Sequence, residues 1–176
     1  MHVPKDLDIE VGLYSEAPGG CSTGTSAAVS VALIGALDAL TPGRLTPGEA
    51  AAKAHEIETT YLKLQCGIQD QIASAYGGIC YIEMTGYPDS RVSQVHIPNA
   101  TWWELESRLS LIFLGKTHKS SEVHEQVISE LETEGGKSER LEKLRRPPED
   151  GKNALFAGDL AAFGRAMIAN TEAQSD

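Results

Sequence analysis

Three groups of residues in this chain have the types and spacing that could do chemistry. The first is the run Pro18-Gly19-Gly20-Cys21-Ser22-Thr23-Gly24-Thr25-Ser26-Ala27, which enters a stretch of small and apolar residues reaching Leu40. A glycine-rich turn lets backbone approach an anion closely. A helix starting behind it adds unpaired N–H groups and the positive end of its dipole. The hydroxyls of Thr25 and Ser26 could bind a phosphate oxygen, or a metal that the phosphates carry. The same residues would also serve as a plain tight turn before a closely packed helix. The second group is Cys66-Gly67-Ile68-Gln69-Asp70-Gln71, where an acid opens a short helix after a glycine turn. A carboxylate placed there can accept a proton from a hydroxyl, or simply cap the helix. The third is Glu58, twelve residues earlier, a solvated helix residue unless the fold returns it to the glycine loop.

Familiar nucleotide signatures are excluded. A Walker loop ending at Gly136-Lys137-Ser138 needs glycine where Leu131 stands, and one ending at Gly115-Lys116-Thr117 needs it at Ser110. Gly19, Gly20 and Gly24 do not have the G-x-G-x-x-G spacing of a dinucleotide fold.

These residues need elements to hold them. Leu7, Ile9, Val11 and Leu13 alternate with polar or small residues, which predicts a half-buried strand before the loop. A helix follows over Ser26 to Leu40. Thr46, Pro47 and Glu49 form a capping-box start for a helix reaching about Leu64. Asp70 to Tyr76 is a short helix stopped by Gly77-Gly78. Ile79 to Met84 and Val92 to Ile97 read as strands joined by a turn over Tyr87 to Arg91. Thr101 and Glu104 repeat the capping-box spacing, which starts a helix at Trp102. Leu109 to Leu114 reads as a buried strand and Ser121 to Glu134 as a helix. The polar stretch Glu134 to Asp150, with Pro147 and Pro148, is expected to be mobile or only partly helical. A last helical region, Asn153 to Asn170, is interrupted at Gly158-Asp159. The pattern is α+β.

Composition narrows the function. The 176 residues carry 15 Lys plus Arg against 25 Asp plus Glu, for a net charge of −10. That balance argues against nucleic acid as a partner. Ala27 to Leu40, the longest apolar stretch, is interrupted by Ser30, Gly35 and Asp38 and is too short for a membrane span. Three cysteines without a C-x-x-C spacing fit neither a disulfide framework nor a zinc site, and Met1 to Glu10 has no signal-peptide core. A cytoplasmic location is the expectation.

Pro18 to Ala28 resembles the P-x-x-x-G-L-G-S-S-A-A signature of the GHMP kinase superfamily, with Pro18, Gly24, Ser26, Ala27 and Ala28 matching. Ser22, Thr23 and Thr25 depart from it. Cys66 to Gln71 is similar to the C-G-I-M-D-Q segment of galactokinases. Its continuation to Ile79 is similar to the Q-D-Q-x-A-A-A-x-G-G of the D-glycero-D-manno-heptose 7-phosphate kinases. Leu114 to Ser121 and Gly158 to Met167 resemble two further stretches of that branch.

The resemblance implies a GHMP kinase-like fold. Residues 1–104 would form a domain like ribosomal protein S5 domain 2, and 105–176 would begin the C-terminal α+β domain. It also implies roles. Pro18 to Ala27 would wrap the phosphates of ATP, and Ser26 and Glu58 would hold Mg2+. Asp70 would be the catalytic aspartate facing a sugar's anomeric hydroxyl. Gly67, Gln69, Gln71 and Lys119 would bind the substrate, a sugar or sugar phosphate, with heptose 7-phosphate favoured over galactose or fucose. Lys119, with Lys116 and His118, would hold a phosphate already on the sugar, although a solvated basic turn would look the same. Homodimerisation stays open. The family's K/R-x-P-x-R-type opening motif and its closing G-A-G-x-G-G loop are not found, so the chain reads as a central fragment. The alternative is a catalytically silent nucleotide-binding or structural homologue.

Overall fold

The computed structural model describes residues 6, 8–17, 22–113, 115, 128 and 139–175. Its helices are α1 (Thr25–Asp38), α2 (Pro47–Glu56), α3 (Gln69–Tyr76), α4 (Asn99–Arg108), α5 (Glu139–Ala157) and α6 (Leu160–Ser175). A π-helical segment, Ile57–Tyr61, continues α2. The strands β1 (Cys80–Gly86) and β2 (Asp89–Gln94) pair into one small antiparallel sheet. The mixture of helix and strand is the expected α+β class.

The chain divides into two compact units. The first takes the described residues up to Gly78 and the hairpin tip Met84–Ser90. The second takes Ile79–Glu83, Arg91–Ile112 and the helices α5 and α6.

In the first unit α1, α2 and α3 pack on one another. Their contact faces are built from Ala27 and Ile34 of α1, Ala51 and Ala54 of α2, and Ile72 of α3, all buried. Alanine at most of these contacts lets the helices approach closely, and burial of the apolar stripe supplies what propensity alone does not. The capping box at α2 forms as read. Thr46 Oγ1 accepts from the Glu49 N–H, and Glu49 Oε2 accepts from the Thr46 N–H at 2.8 Å. Its carboxyl is held below the usual range by these bonds to Thr46.

In the second unit α5 packs against α6. Gly151 lies so close to α6 that a Cβ there would stand 3.6 Å from the Phe163 ring. Lys152 Nζ sits 3.9 Å from the centre of the Tyr81 ring.

Four local readings are corrected. Residues 8–15 form no strand, and Ile9, Val11 and Leu13 are exposed. Period-two patterning prepares a strand, but a ladder needs a partner, and none pairs with it among the described residues. Residues 109–113 are likewise not a strand. α4 begins at Asn99 behind Pro98, so Thr101 falls inside the first turn and makes no cap bond. α5 runs unbroken through Pro147 and Pro148. Pro147, Gly151, Ala154 and Leu155 are its buried residues, spaced i, i+4, i+7 and i+8, so one packed face holds the helix across two missing N–H donors. The break after Ala157 falls at Gly158-Asp159 as read, with Asp159 Oδ1 accepting from the Ala162 N–H at 2.8 Å. The helix read over 121–134 lies outside the described residues, apart from Ile128.

Candidate active site

The site is assembled by the three packed helices of the first unit. α1 begins at Gly24, whose φ of +66° is the left-handed conformation glycine adopts without penalty. Gly24, at the N-cap, brings no side chain to the N-terminal end of α1. Such an end favours an anion through its N–H groups and its dipole. Thr23 Oγ1 and Thr25 Oγ1 lie 3.0 Å apart across this turn, and Ser26 is exposed beside them.

α3 brings Asp70 to the same place. A Cβ on Gly24 would stand 3.1 Å from Asp70 Cγ and 3.2 Å from Oδ2. The loop backbone and the carboxylate are thus in direct apposition. Asp70 sits in the first turn of α3 and is exposed, and the helix starts from Ile68 without a side-chain cap. Asp70 is therefore not spent on capping the helix it opens. Just before it, Gln69 folds its side chain over Gly67, which leaves no room for a Cβ at that position.

Glu58 comes from the π-helical segment. The extra residue in that turn is bridged by the Leu62 N–H on the Ile57 carbonyl at 3.0 Å. Single π turns inside helices recur at functional sites. Glu58 is only 4% exposed. Its Oε1 accepts from Ser30 Oγ at 3.4 Å and its Oε2 from Gln71 Nε2 at 3.1 Å. Ser30 lies one turn along α1 from Ser26, so Glu58 faces the helix whose N-terminus carries the loop. The Cys66 thiol lies beside this carboxylate. Burial first, and then the Glu58 charge, push its pKa up to about 11.

The residues fit a hard divalent cation carried by a nucleotide. Glu58 is a buried carboxylate whose hydrogen-bond partners are neutral, and Mg2+ is commonly held by one or two carboxylates together with substrate phosphates. Among the described residues no group of three or more His, Cys, Asp or Glu gathers as a self-contained protein cage.

Gln71, read from sequence as a substrate contact, is placed differently from its neighbour Asp70. It is 1% exposed and points into the unit against Glu58 and, at 3.8 Å, Cys66 Sγ. Pro18, Gly19, Gly20, Cys21 and Lys119 lie outside the described residues. Three contributors were not singled out from sequence. Ser30 could have been found from its i+4 spacing to Ser26. His55 and Tyr87 had no such signal. His55 Nε2 and Tyr87 Oη share a 2.7 Å hydrogen bond, and Tyr87 Oη donates to the Cys66 carbonyl at 3.1 Å. They wall a cleft of about 590 Å3 together with Thr59, Lys63, Ile68 and Pro88.

The family described as GHMP kinases N terminal domain matches residues 2–78. A D-glycero-alpha-D-manno-heptose 7-phosphate kinase of Campylobacter jejuni is 29% identical over 166 residues, covering 93% of this chain and 48% of that protein. A mevalonate kinase of Methanothermobacter thermautotrophicus is 42% identical over 82 residues, covering 47% of this chain and 26% of its own length. The crystal structure of a D-glycero-D-manno-heptose 1-phosphate kinase from Bacteriodes thetaiotaomicron superposes with a TM-score of 0.72 at 28% identity, over 92% of this chain and 46% of that one. The chain thus spans about half the length, or less, of these relatives. No helix among the described residues is long and apolar enough to cross a membrane. The glycine loop, the helix behind it and the aspartate set against it all fall within residues 2–78, the stretch that carries the GHMP kinases N terminal domain.

Proposed function

We propose that this chain carries the phosphoryl-transfer site of an ATP-dependent sugar kinase whose acceptor is the anomeric hydroxyl of a heptose phosphate. The observation that carries the reading is the apposition of Gly24 and Asp70 at the start of α1. A phosphoryl group held against the loop and the helix N-terminus would lie next to the one exposed carboxylate of α3. Phosphoryl transfer asks the protein mainly for position and charge stabilisation. The loop and Ser26 would hold the nucleotide phosphates, and the α1 N-terminus would stabilise the charge developing on them. Asp70 would orient the acceptor hydroxyl and take its proton. Glu58, with Ser26, would hold the Mg2+ that neutralises phosphate charge.

The acceptor class rests on coverage. The heptose kinases match 92–93% of the chain, whereas the matches to mevalonate kinases cover 44–72% of it. Gly67 and Gln69, in the turn that delivers Asp70, are the described candidates for sugar contact. Lys119 remains the candidate for the sugar's own phosphate. A soluble cytoplasmic enzyme acting on a small polar metabolite fits this reading.

The test is magnesium-dependent ADP release with ATP and D-glycero-D-manno-heptose 7-phosphate. Heptose 1-phosphate, galactose, fucose and mevalonate serve as alternative acceptors. Turnover abolished by Asp70→Asn supports the reading. In parallel, ATP with Mg2+ at a hundred times its Kd should stabilise the fold by about 2.7 kcal/mol. Stabilisation without turnover on any acceptor would favour the silent nucleotide-binding homologue, and no stabilisation would sink both.

A further inference from the structure

Gln71 is the largest side chain buried below 2% exposure among the described residues, and it is polar. A carboxylate accepts and does not donate, so the amide must turn its N–H towards Glu58. That leaves Gln71 Oε1 buried without a hydrogen-bond partner. An unsatisfied buried acceptor costs stability, and a leucine or methionine of similar volume would pack there without that cost. What neither could supply is the N–H on Glu58.

The amide is half of a two-sided clamp. Gln71 on α3 holds Oε2 of Glu58 at 3.1 Å, and Ser30 on α1 holds Oε1 at 3.4 Å. Each oxygen thus has a donor from a different helix, and the shorter, buried bond is the one from Gln71. Both donors are neutral, so they set the carboxylate's direction without supplying a counter-charge.

Resting on the reading of Glu58 as the carboxylate that meets the nucleotide-borne cation, we propose that Gln71 is a positioning residue which acts through Glu58 and makes no contact with the acceptor sugar. The orphaned Oε1 is the cost of keeping an amide where packing would favour an apolar side chain.

The test is calorimetric binding of a non-hydrolysable ATP analogue to the full chain as Mg2+ is titrated, with melting temperature followed in parallel. Gln71→Met removes the orphaned acceptor but also strips the N–H from the buried Glu58 Oε2, so its melting temperature should fall by several degrees, and saturating Mg2+ with the analogue should restore part of that loss. The Mg2+ concentration at half-saturation should rise roughly tenfold, as when an outer-shell partner of a metal ligand is removed. Binding of the analogue without Mg2+ and the KM for sugar should not move. If Gln71→Met does not fold, Ser30→Ala releases the other oxygen and should shift the Mg2+ midpoint in the same direction. Glu58→Gln separates the two claims. A midpoint moved by Glu58→Gln but not by Gln71→Met or Ser30→Ala overturns this inference alone. A midpoint that Glu58→Gln leaves unmoved overturns the metal role of Glu58 and this inference with it. A change confined to the KM for sugar overturns it in favour of direct sugar contact.

Discussion

Gly24 and Asp70 lie 46 positions apart in sequence, yet a single methyl group on Gly24 would come within 3.1 Å of the Asp70 carboxyl carbon. Two separate costs meet at this position. Any other L-residue must hold φ near +66°, which costs about 1–2 kcal/mol, and its Cβ must push against Asp70. Gly24→Ala should therefore lower stability by about 1–2 kcal/mol and weaken nucleotide binding beyond what that loss explains. Denaturant unfolding and calorimetry with an ATP analogue check the two effects separately. A variant that loses stability alone would show that the apposition is structural only.

Glu58→Ala tests the buried cluster from its centre. It removes the acceptor for Ser30 Oγ and Gln71 Nε2 at once and opens a cavity among three helices. A loss of roughly 2–3 kcal/mol is expected from the stranded amide and the missing side-chain volume together. Glu58→Gln keeps the volume and should recover part of that loss. The order Glu58→Ala, Glu58→Gln, parent in melting temperature is the result to look for.

The capping box on α2 gives a pH dependence with a definite sign. Bonds to the Thr46 backbone N–H and hydroxyl hold the Glu49 carboxyl below its usual range. The unfolded chain therefore binds the proton first as pH falls. The contribution is present above the unfolded pKa of about 4.3 and is lost as pH drops through the lower folded value. The melting-temperature difference between the parent and Glu49→Ala should be constant near neutral pH and shrink in acid. Thr46→Ala should cost about 1 kcal/mol at neutral pH as a lost cap. A difference that grows on acidification would contradict the assignment.

What sequence could and could not show follows from how local each feature is. The capping box, the glycine stop at Gly77 and the break at Gly158 are written in adjacent residues, and they were legible. The aspartate at the head of α3 was legible as a type, but its meeting with Gly24 depends on how α1 and α3 pack. The strand read at Leu7 to Leu13 failed for the converse reason: alternation describes one strand, while pairing is a property of two. The helix through Pro147 and Pro148 was missed because proline penalties are local, while the buried face Pro147, Gly151, Ala154 and Leu155 appears only when α6 is in place. Gln71 shared a motif with Asp70, and nothing in that motif separates an exposed residue from its neighbour facing the core.

Tyr87 joins the hairpin tip to the rest of the first unit. Its hydroxyl donates to the Cys66 carbonyl and shares a hydrogen bond with His55 Nε2, so the hairpin tip is tied at once to α2 and to the turn before Asp70. The ring of His55 also meets the Tyr87 ring edge-on, with centroids 5.4 Å apart. Tyr87→Phe keeps that ring contact and deletes both hydrogen bonds, isolating the polar part of the tie. The Cys66 carbonyl and the His55 nitrogen each lose a partner, which should cost about 1–3 kcal/mol. The loss should be local first. Amide exchange at Gly67 to Asp70 should speed up relative to the α1 core, because that turn loses its anchor while the helix packing is untouched. In the kinase reading, kcat should fall more than nucleotide affinity, since Asp70 loosens while Gly24 and the α1 N-terminus stay in place. Exchange that accelerates uniformly across α1, α2 and α3 would instead make Tyr87 a general stabiliser of the unit.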